Sequence, residues 1–134
     1  TKMIESQNIR QILAIMVTDI VNYTETMNDN EDKALEYLKK QRNIIKPTVS
    51  KMNGQMCKEM GDGTFSKFRS AIEAVKCAVK IQEEAHLNDL PLRIAVHLGD
   101  VMDDGIDVIG MGVNIASRIQ QLADPGNIVV SDDV

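Results

Sequence analysis

The stretch ILAIMVTDI, residues Ile12–Ile20, is an almost continuous apolar run that closes on an acid. A run of this length and composition is typical of a strand that is buried on both faces in the middle of a sheet. It therefore predicts the central strand of the domain, with Asp19 at the end of that strand.

Helical and extended patterns alternate along the chain after this strand. Gly61-Asp62-Gly63 joins two short extended segments, and Asp-Gly is one of the strongest two-residue hairpin signals. Ser70 and Glu73 form a capping box that starts a helix. The predicted elements are a helix over about residues 32–52, strands over 55–60 and 64–68, a helix from residue 70, a strand over 92–98, a helix over 113–122 and a strand over 127–131.

This order of elements is the split βαβ arrangement of ferredoxin-like folds. We predict an α+β fold with a ferredoxin-like βαββαβ core, in which helices pack on an antiparallel sheet, plus an extra C-terminal helix and strand. The first and second strands are expected to lie centrally. The predicted buried faces are Ile72, Val75, Ala78 and Val79 in the helix after residue 70, and Ile115, Ile119 and Leu122 in the last helix.

Composition excludes several classes of protein. The 134 residues carry 15 Lys and Arg against 20 Asp and Glu, a net charge of −5, and only 3% are aromatic. A nucleic-acid binder would show a basic face with stacking aromatic residues, so no nucleic-acid partner is expected. The longest apolar run, Ile12–Val17, is far short of the ~20 residues that span a bilayer, so no membrane contact by this domain is expected either. Cys57 and Cys77 show no metal-ligand spacing, which favours reduced thiols and a cytoplasmic location.

Two acids follow from this layout as candidate metal ligands. Asp19 ends the first strand and Asp62 lies at the tip of the hairpin, so the two carboxylates are expected to meet at one edge of the sheet. Carboxylates with few competing ligands suit Mg²⁺, which keeps positions open for water and substrate phosphates. The alternative is that Asp62 is only a turn residue and Asp19 only a helix N-cap.

Two further segments carry polar groups that suit phosphate chemistry. Residues 19–24 leave the strand and enter a short helix, where backbone N–H groups and the Thr24 hydroxyl are candidates for binding phosphate, with plain N-capping as the alternative. Asn114 and Arg118 are four residues apart and share one face of a helix. Such a stripe is either a solvated surface or, through the arginine, a means to stabilise charge on a transferring phosphoryl group.

Four stretches and a short tail then occur in a recognisable order: Val17–Thr24, Lys58–Gly63, Leu92–Val101, Asp107–Arg118 and Ala123–Gly126. Together they resemble the class III nucleotidyl cyclases of bacterial type, the adenylate and guanylate cyclase catalytic domains. The resemblance implies two divalent cations, Mg²⁺ or Mn²⁺, held by Asp19, Asp62 and the backbone carbonyl of Ile20. It also implies that Asn114 orients the ribose and that Arg118 stabilises charge at the α-phosphate.

The resemblance further implies a site that is shared between two protomers. Lys58 and Asp107 align with the residues that read the purine, and Tyr23 and Thr24 are expected to contact the substrate. One chain would supply the metal-binding acids, and the other would supply Lys58, Asp107, Asn114 and Arg118. A chain that holds both sets is expected to form a homodimer with two equivalent sites.

The purine can be predicted from hydrogen-bond chemistry. Adenine offers an acceptor at N1 and a donor at N6, and guanine reverses both. Lys58 only donates and an ionised Asp107 only accepts, so the pair fits adenine and leaves groups unpaired against guanine. The expected reaction is attack of the ribose 3′-oxygen of ATP on the α-phosphorus, which gives 3′,5′-cyclic AMP and pyrophosphate. The alternatives are a guanylate cyclase and a silent cyclase-like module that dimerises or senses nucleotide.

The extent of the domain is predicted from the polar composition of residues 1–10 and from the resemblance. Residues 1–10 are expected to be a linker remnant and residues 11–134 to be the catalytic domain, without the C-terminal helix and hairpin that family members usually have. An upstream sensor or regulatory domain is expected. The full-length protein could then be anchored to a membrane elsewhere.

Overall fold

The apolar run that closes at Asp19 forms the central strand of a five-stranded sheet, as predicted. The fold comes from a computed structural model that describes residues 10–102 and 106–130; most of the predicted linker and residues 131–134 lie outside the described residues. The elements are β1 (Arg10–Ile20), α1 (Tyr23–Asp29), α2 (Glu31–Lys51), β2 (Gln55–Met60), β3 (Gly63–Phe68), α3 (Ala71–Leu87), β4 (Leu92–Met102), α4 (Ile106–Leu122) and β5 (Ile128–Val130).

The strand order is β2-β3-β1-β4-β5, which is the mixed α+β arrangement expected from the order of elements. Strand β1 pairs antiparallel with β3 and, over its whole length, with β4. One detail of the prediction is wrong. Strand β2 lies at the edge of the sheet and not at its centre, because β3 carries the buried Phe65 and Phe68 whereas β2 is largely exposed. The four strands of the predicted core pair antiparallel, as expected, and the extra strand β5 pairs parallel to β4.

Residues of β1 alternate between two apolar layers, as a strand buried on both faces must. Ala14 and Met16 face α2 and α3 on one side of the sheet, where they pack with residues such as Ile45 and Ile81. On the opposite side Leu13, Ile15 and Val17 pack with Phe65, Ile115 and Ile119. Among the described residues, α4 is the helix that covers the second face.

Two predicted helix faces are corrected by the packing. Ile72, Val79 and Leu122 are exposed, with 67%, 44% and 65% of their surfaces accessible. The buried stripe of α3 is instead made mostly of small residues, which let the helix approach the sheet closely: Ala74, Cys77, Ala78, Ile81 and Ala85. Ala78, Ile115 and Ile119 are buried as predicted.

The ends of elements follow local chemistry where the cap is clear. The Ser70 hydroxyl accepts a hydrogen bond from the backbone N–H of Glu73 at 3.3 Å, the cap expected at the start of α3.

The acidic loop predicted over residues 100–107 is shorter than expected, because β4 continues to Met102 and α4 begins at Ile106. Within the described residues, no helix is both long and apolar enough to cross a membrane.

Candidate active site

The β2–β3 turn brings Asp62 to the end of β1. Gly61 adopts a left-handed backbone with φ +56, a conformation that glycine reaches without steric cost, and this closes the hairpin in two residues. The Asp62 carboxylate then accepts a hydrogen bond from the backbone N–H of Ile20, with 3.0 Å between N and Oδ2. Asp62 is thus more than a turn residue, because its side chain contacts the end of the central strand beside Asp19.

Asp19 forms a bidentate ion pair with Arg93, its direct partner on β4. The distances from Nε to Oδ1 and from Nη2 to Oδ2 are both 2.9 Å, and the two side chains are only 16% and 18% exposed. Asp19 is not a helix N-cap. Asn22 holds that position before α1, in a left-handed conformation with φ 54 and without a side-chain capping bond.

The electrostatic environment of Asp19 combines opposing effects. Burial raises the pKa of the Asp19 carboxyl, and the hydrogen bonds and positive charge of Arg93 lower it. The nearby charge of Asp62 raises it as well, and the balance lies above the ordinary value of an aspartate. The two carboxylates are therefore close enough to repel each other, as expected of two acids at one cation site.

A cavity of about 310 Å³ opens between these groups. Its walls include both acids, Arg93, and the two predicted substrate contacts Tyr23 and Thr24. Tyr23 is half-buried and Thr24 is exposed. Their interpretation as substrate-binding residues stays a prediction, but the fold does bring them to the acids.

Arg93 is the residue at this site that we did not predict from the sequence. It lies in a strand where Leu92, Ile94 and Ala95 are all buried. A charged side chain in such surroundings is almost always paired, and this signal was available from the alternating pattern of β4. The sequence pattern does not reveal which residue pairs with Arg93, because that depends on the β1–β4 register.

The other predicted site residues lie away from this cavity. Lys58 is exposed on the edge strand β2, and Asn114 and Arg118 are exposed on α4. Ala116 of the same helix lines the cavity, and two residues of helix correspond to a rotation of roughly 200°. Asn114 and Arg118 therefore point away from the acids of their own chain. Asp107 lies in the first turn of α4, and its side chain is outside the described part of the structure.

The donor set at the acids fits a cation that arrives with a substrate. Among the described residues there is no group of three or more His, Cys, Asp or Glu side chains that could hold a metal ion. Mg²⁺ is commonly bound through one or two carboxylates, with substrate phosphates and water as the remaining ligands. Asp19 and Asp62 beside an open cavity meet that requirement.

Comparisons with known proteins agree with this architecture. Residues 4–134 match the family described as the adenylate and guanylate cyclase catalytic domain. The chain is 37% identical over 134 residues to "Putative adenylate cyclase 3" of Rhizobium meliloti (strain 1021), across 93% of this chain and 23% of that protein. The chain therefore spans about a quarter of the length of that curated relative.

Solved structures show the same likeness. The adenylate/guanylate cyclase/hydrolase from Silicibacter pomeroyi superposes with a TM-score of 0.77 and 33% identity, over 92% of this chain and 77% of that chain. The adenylyl cyclase CyaB from P. aeruginosa shares the fold with a TM-score of 0.75 at 21% identity, over 93% and 79% of the two chains. The chain belongs to the adenylate and guanylate cyclase catalytic domain family, the class III nucleotidyl cyclases. Catalytic domains of this family bind a nucleotide substrate, use divalent metals and act as dimers.

Proposed function

We propose that this domain is an adenylate cyclase that converts ATP to 3′,5′-cyclic AMP and pyrophosphate in signal transduction. The observation that carries the proposal is the convergence of Asp19 and Asp62 on one cavity, through the hydrogen bond from Ile20 to Asp62. Two carboxylates, one on the central strand and one in the turn beside its end, are the groups that a nucleotide–metal complex needs from the protein.

In this proposal Asp19, Asp62 and the Ile20 carbonyl hold Mg²⁺ or Mn²⁺. Such cations supply a lowered pKa for the ribose 3′-hydroxyl and neutralise charge on the triphosphate. Arg93 lies in the same cavity and pairs with Asp19 at 2.9 Å. If Asp19 held a cation, the Arg93 guanidinium would be available to bind an anionic phosphate, for which its planar fork is well suited.

Recognition of the purine base and stabilisation of the transition state are assigned to residues of a second copy of the chain. Lys58 donates to adenine N1 and Asp107 accepts from N6, while Asn114 orients the ribose and Arg118 stabilises charge at the α-phosphate. The exposure of Lys58, Asn114 and Arg118 supports this division, because side chains that point away from their own acids are available to a partner's cavity. The assembly is then a homodimer with two equivalent sites.

A direct test is to incubate the protein with ATP or with GTP, each with Mn²⁺, and to identify the cyclic product by mass spectrometry. Cyclic AMP is expected from ATP, with far less cyclic GMP from GTP. Because the metal contributes several kcal/mol to stabilising the transition state, Asp62→Asn should lower the rate on the order of 10³-fold or more. Glu83→Gln, which changes an exposed acid on α3, serves as the matched control and should keep wild-type activity.

Three outcomes would contradict parts of this proposal. Cyclic GMP as the main product would make the domain a guanylate cyclase. Nucleotide binding without any cyclic product would identify a silent cyclase-like module. Full activity in Asp62→Asn would remove that carboxylate from the reaction.

A further inference from the structure

Helix α2 buries an amide side chain in a position that hydrocarbon would normally fill. Gln41 is 1% exposed and lies on the same face of the helix as the buried Ala34, Ile45 and Val49. A buried amide costs free energy unless it is hydrogen-bonded. Its Nε2 donates to the backbone carbonyl oxygen of Asp62, so the helix contacts the turn that carries the candidate metal ligand.

Asp62 is consequently held at both its main chain and its side chain. Gln41 binds the peptide carbonyl, and the Ile20 N–H binds the carboxylate at 3.0 Å. Near the turn, the Thr18 and Thr64 hydroxyls share a buried hydrogen bond of 2.8 Å between β1 and β3. A peptide plane and a carboxylate that are both fixed leave the side chain little freedom in direction.

Within the described part of the chain, the hairpin tip is only lightly covered. Strand β2 is at the edge of the sheet, Met60 and Gly61 are exposed, and Asp62 itself is only partly buried. An apolar residue at position 41 would fill the same space, but it could not orient the Asp62 peptide, since only a directed donor does that.

We propose that Gln41 is a positioning residue that sets the direction of the Asp62 carboxylate toward the cation site. This rests on the proposed function, in which Asp62 is a metal ligand. Gln41 contacts neither metal nor substrate in this arrangement. It acts through the backbone of Asp62, in the way that partners of metal ligands orient those ligands and raise metal affinity.

The test compares Gln41→Met, which keeps the volume and removes the donor, with Arg42→Met on the next position of the helix. Arg42 is a matched control because its Nε pairs with Glu59 of the same hairpin at 3.2 Å on the surface, without touching Asp62. Mn²⁺ binding is measured by electron paramagnetic resonance of the free ion. Exchange of the Ile20 amide hydrogen is measured by NMR in metal-free protein.

Gln41→Met should weaken Mn²⁺ binding about tenfold or more, the usual effect of losing a hydrogen-bond partner of a metal ligand. It should also speed exchange at Ile20, because the carboxylate that accepts this N–H becomes mobile, while the buried amide of Ile81 keeps its rate. Arg42→Met should change neither the Mn²⁺ affinity nor the exchange rate of the Ile20 amide. If Gln41→Met does not fold, Gln41→Leu also removes the donor and keeps an apolar side chain in the buried position, and the same changes are expected.

Wild-type Mn²⁺ affinity together with unchanged exchange at Ile20 would overturn the proposal. An equal loss in Gln41→Met and Arg42→Met would also overturn it, since the effect would then belong to the hairpin as a whole. A wild-type protein that binds no Mn²⁺, either alone or together with 3′-deoxy-ATP, would instead contradict the proposed function. The exchange rate at Ile20 would still decide the role of Gln41 in that case.

Discussion

The carboxyl of Asp19, which pairs with Arg93 at 2.9 Å, is subject to opposing electrostatic effects. Burial and the charge of Asp62 both raise the pKa of Asp19, and Arg93 lowers it. The net raised pKa means that the folded protein binds this proton more tightly than the unfolded chain does. Asp19 therefore contributes stability as pH falls through its raised pKa and loses that contribution as pH rises.

This balance predicts opposite responses to two substitutions in metal-free protein. Arg93→Met should raise the pKa of Asp19 further, because the lowering hydrogen bonds and charge are lost. Asp62→Asn should lower it, because a repelling charge is removed. Titration of the ¹³C-labelled aspartate carboxyls by NMR measures both shifts. Shifts of the same sign would show that the Asp19 environment is not the one described.

At this scale the sequence predicted the two acids but not their full surroundings. Asp62 could be placed from its turn chemistry, and Asp19 from the strand that it closes. Arg93 and Gln41 act through contacts between distant segments, with Asp19 on β1 and with the turn before β3. Such contacts depend on strand register and helix packing, which local patterns do not specify.

At the scale of elements, glycines show where packing is tight. A Cβ built on Gly54, between α2 and β2, would lie 2.3 Å from a ring carbon of the buried Phe68. Gly110 of α4 has no atom within 4 Å of such a Cβ. The same substitution should therefore have opposite effects at the two positions.

Gly54→Ala should destabilise the domain by about 1–3 kcal/mol, because the ring is held in the core and cannot move aside without cost. Gly110→Ala should stabilise it by about 0.5–1 kcal/mol, since alanine favours helix over glycine. Urea unfolding followed by circular dichroism measures both. Equal free energies of unfolding for Gly54→Ala and wild type would contradict the packing around Phe68.

Element positions were predictable where a cap or turn is local, as at Ser70 and at Gly61-Asp62-Gly63. The buried face of α3 was not, because its small residues Ala74 and Cys77 fit close to the sheet better than Ile72 does. The extension of β4 into an acidic stretch also escaped prediction. Pairing with β1 up to Met102 holds that segment extended, and this is a tertiary effect.

At the scale of the whole molecule, the exposed Asn114 and Arg118 predict complementation between inactive variants. Asp19→Ala and Arg118→Ala should each be inactive alone. In an equal mixture, half of the dimers combine one chain of each kind and hold one intact site, so about a quarter of wild-type activity is expected. Cyclic AMP formation on mixing measures this. No recovery, with mixed dimers present by native mass spectrometry, would contradict a shared site.

The position of β1 has a consequence for how the chain is made. This strand is synthesised before the other strands of the sheet, yet it is central, and its partners lie as far along the chain as Phe68 and Met102. Its apolar residues emerge from the ribosome before either neighbour exists. Strand pairing between distant segments forms slowly, and the partly folded intermediates expose apolar surface and are prone to aggregate. A nascent or truncated chain that stops before β4 lacks the partner that pairs with β1 over its whole length, and we expect such a chain to bind chaperones until residue 102 has been translated.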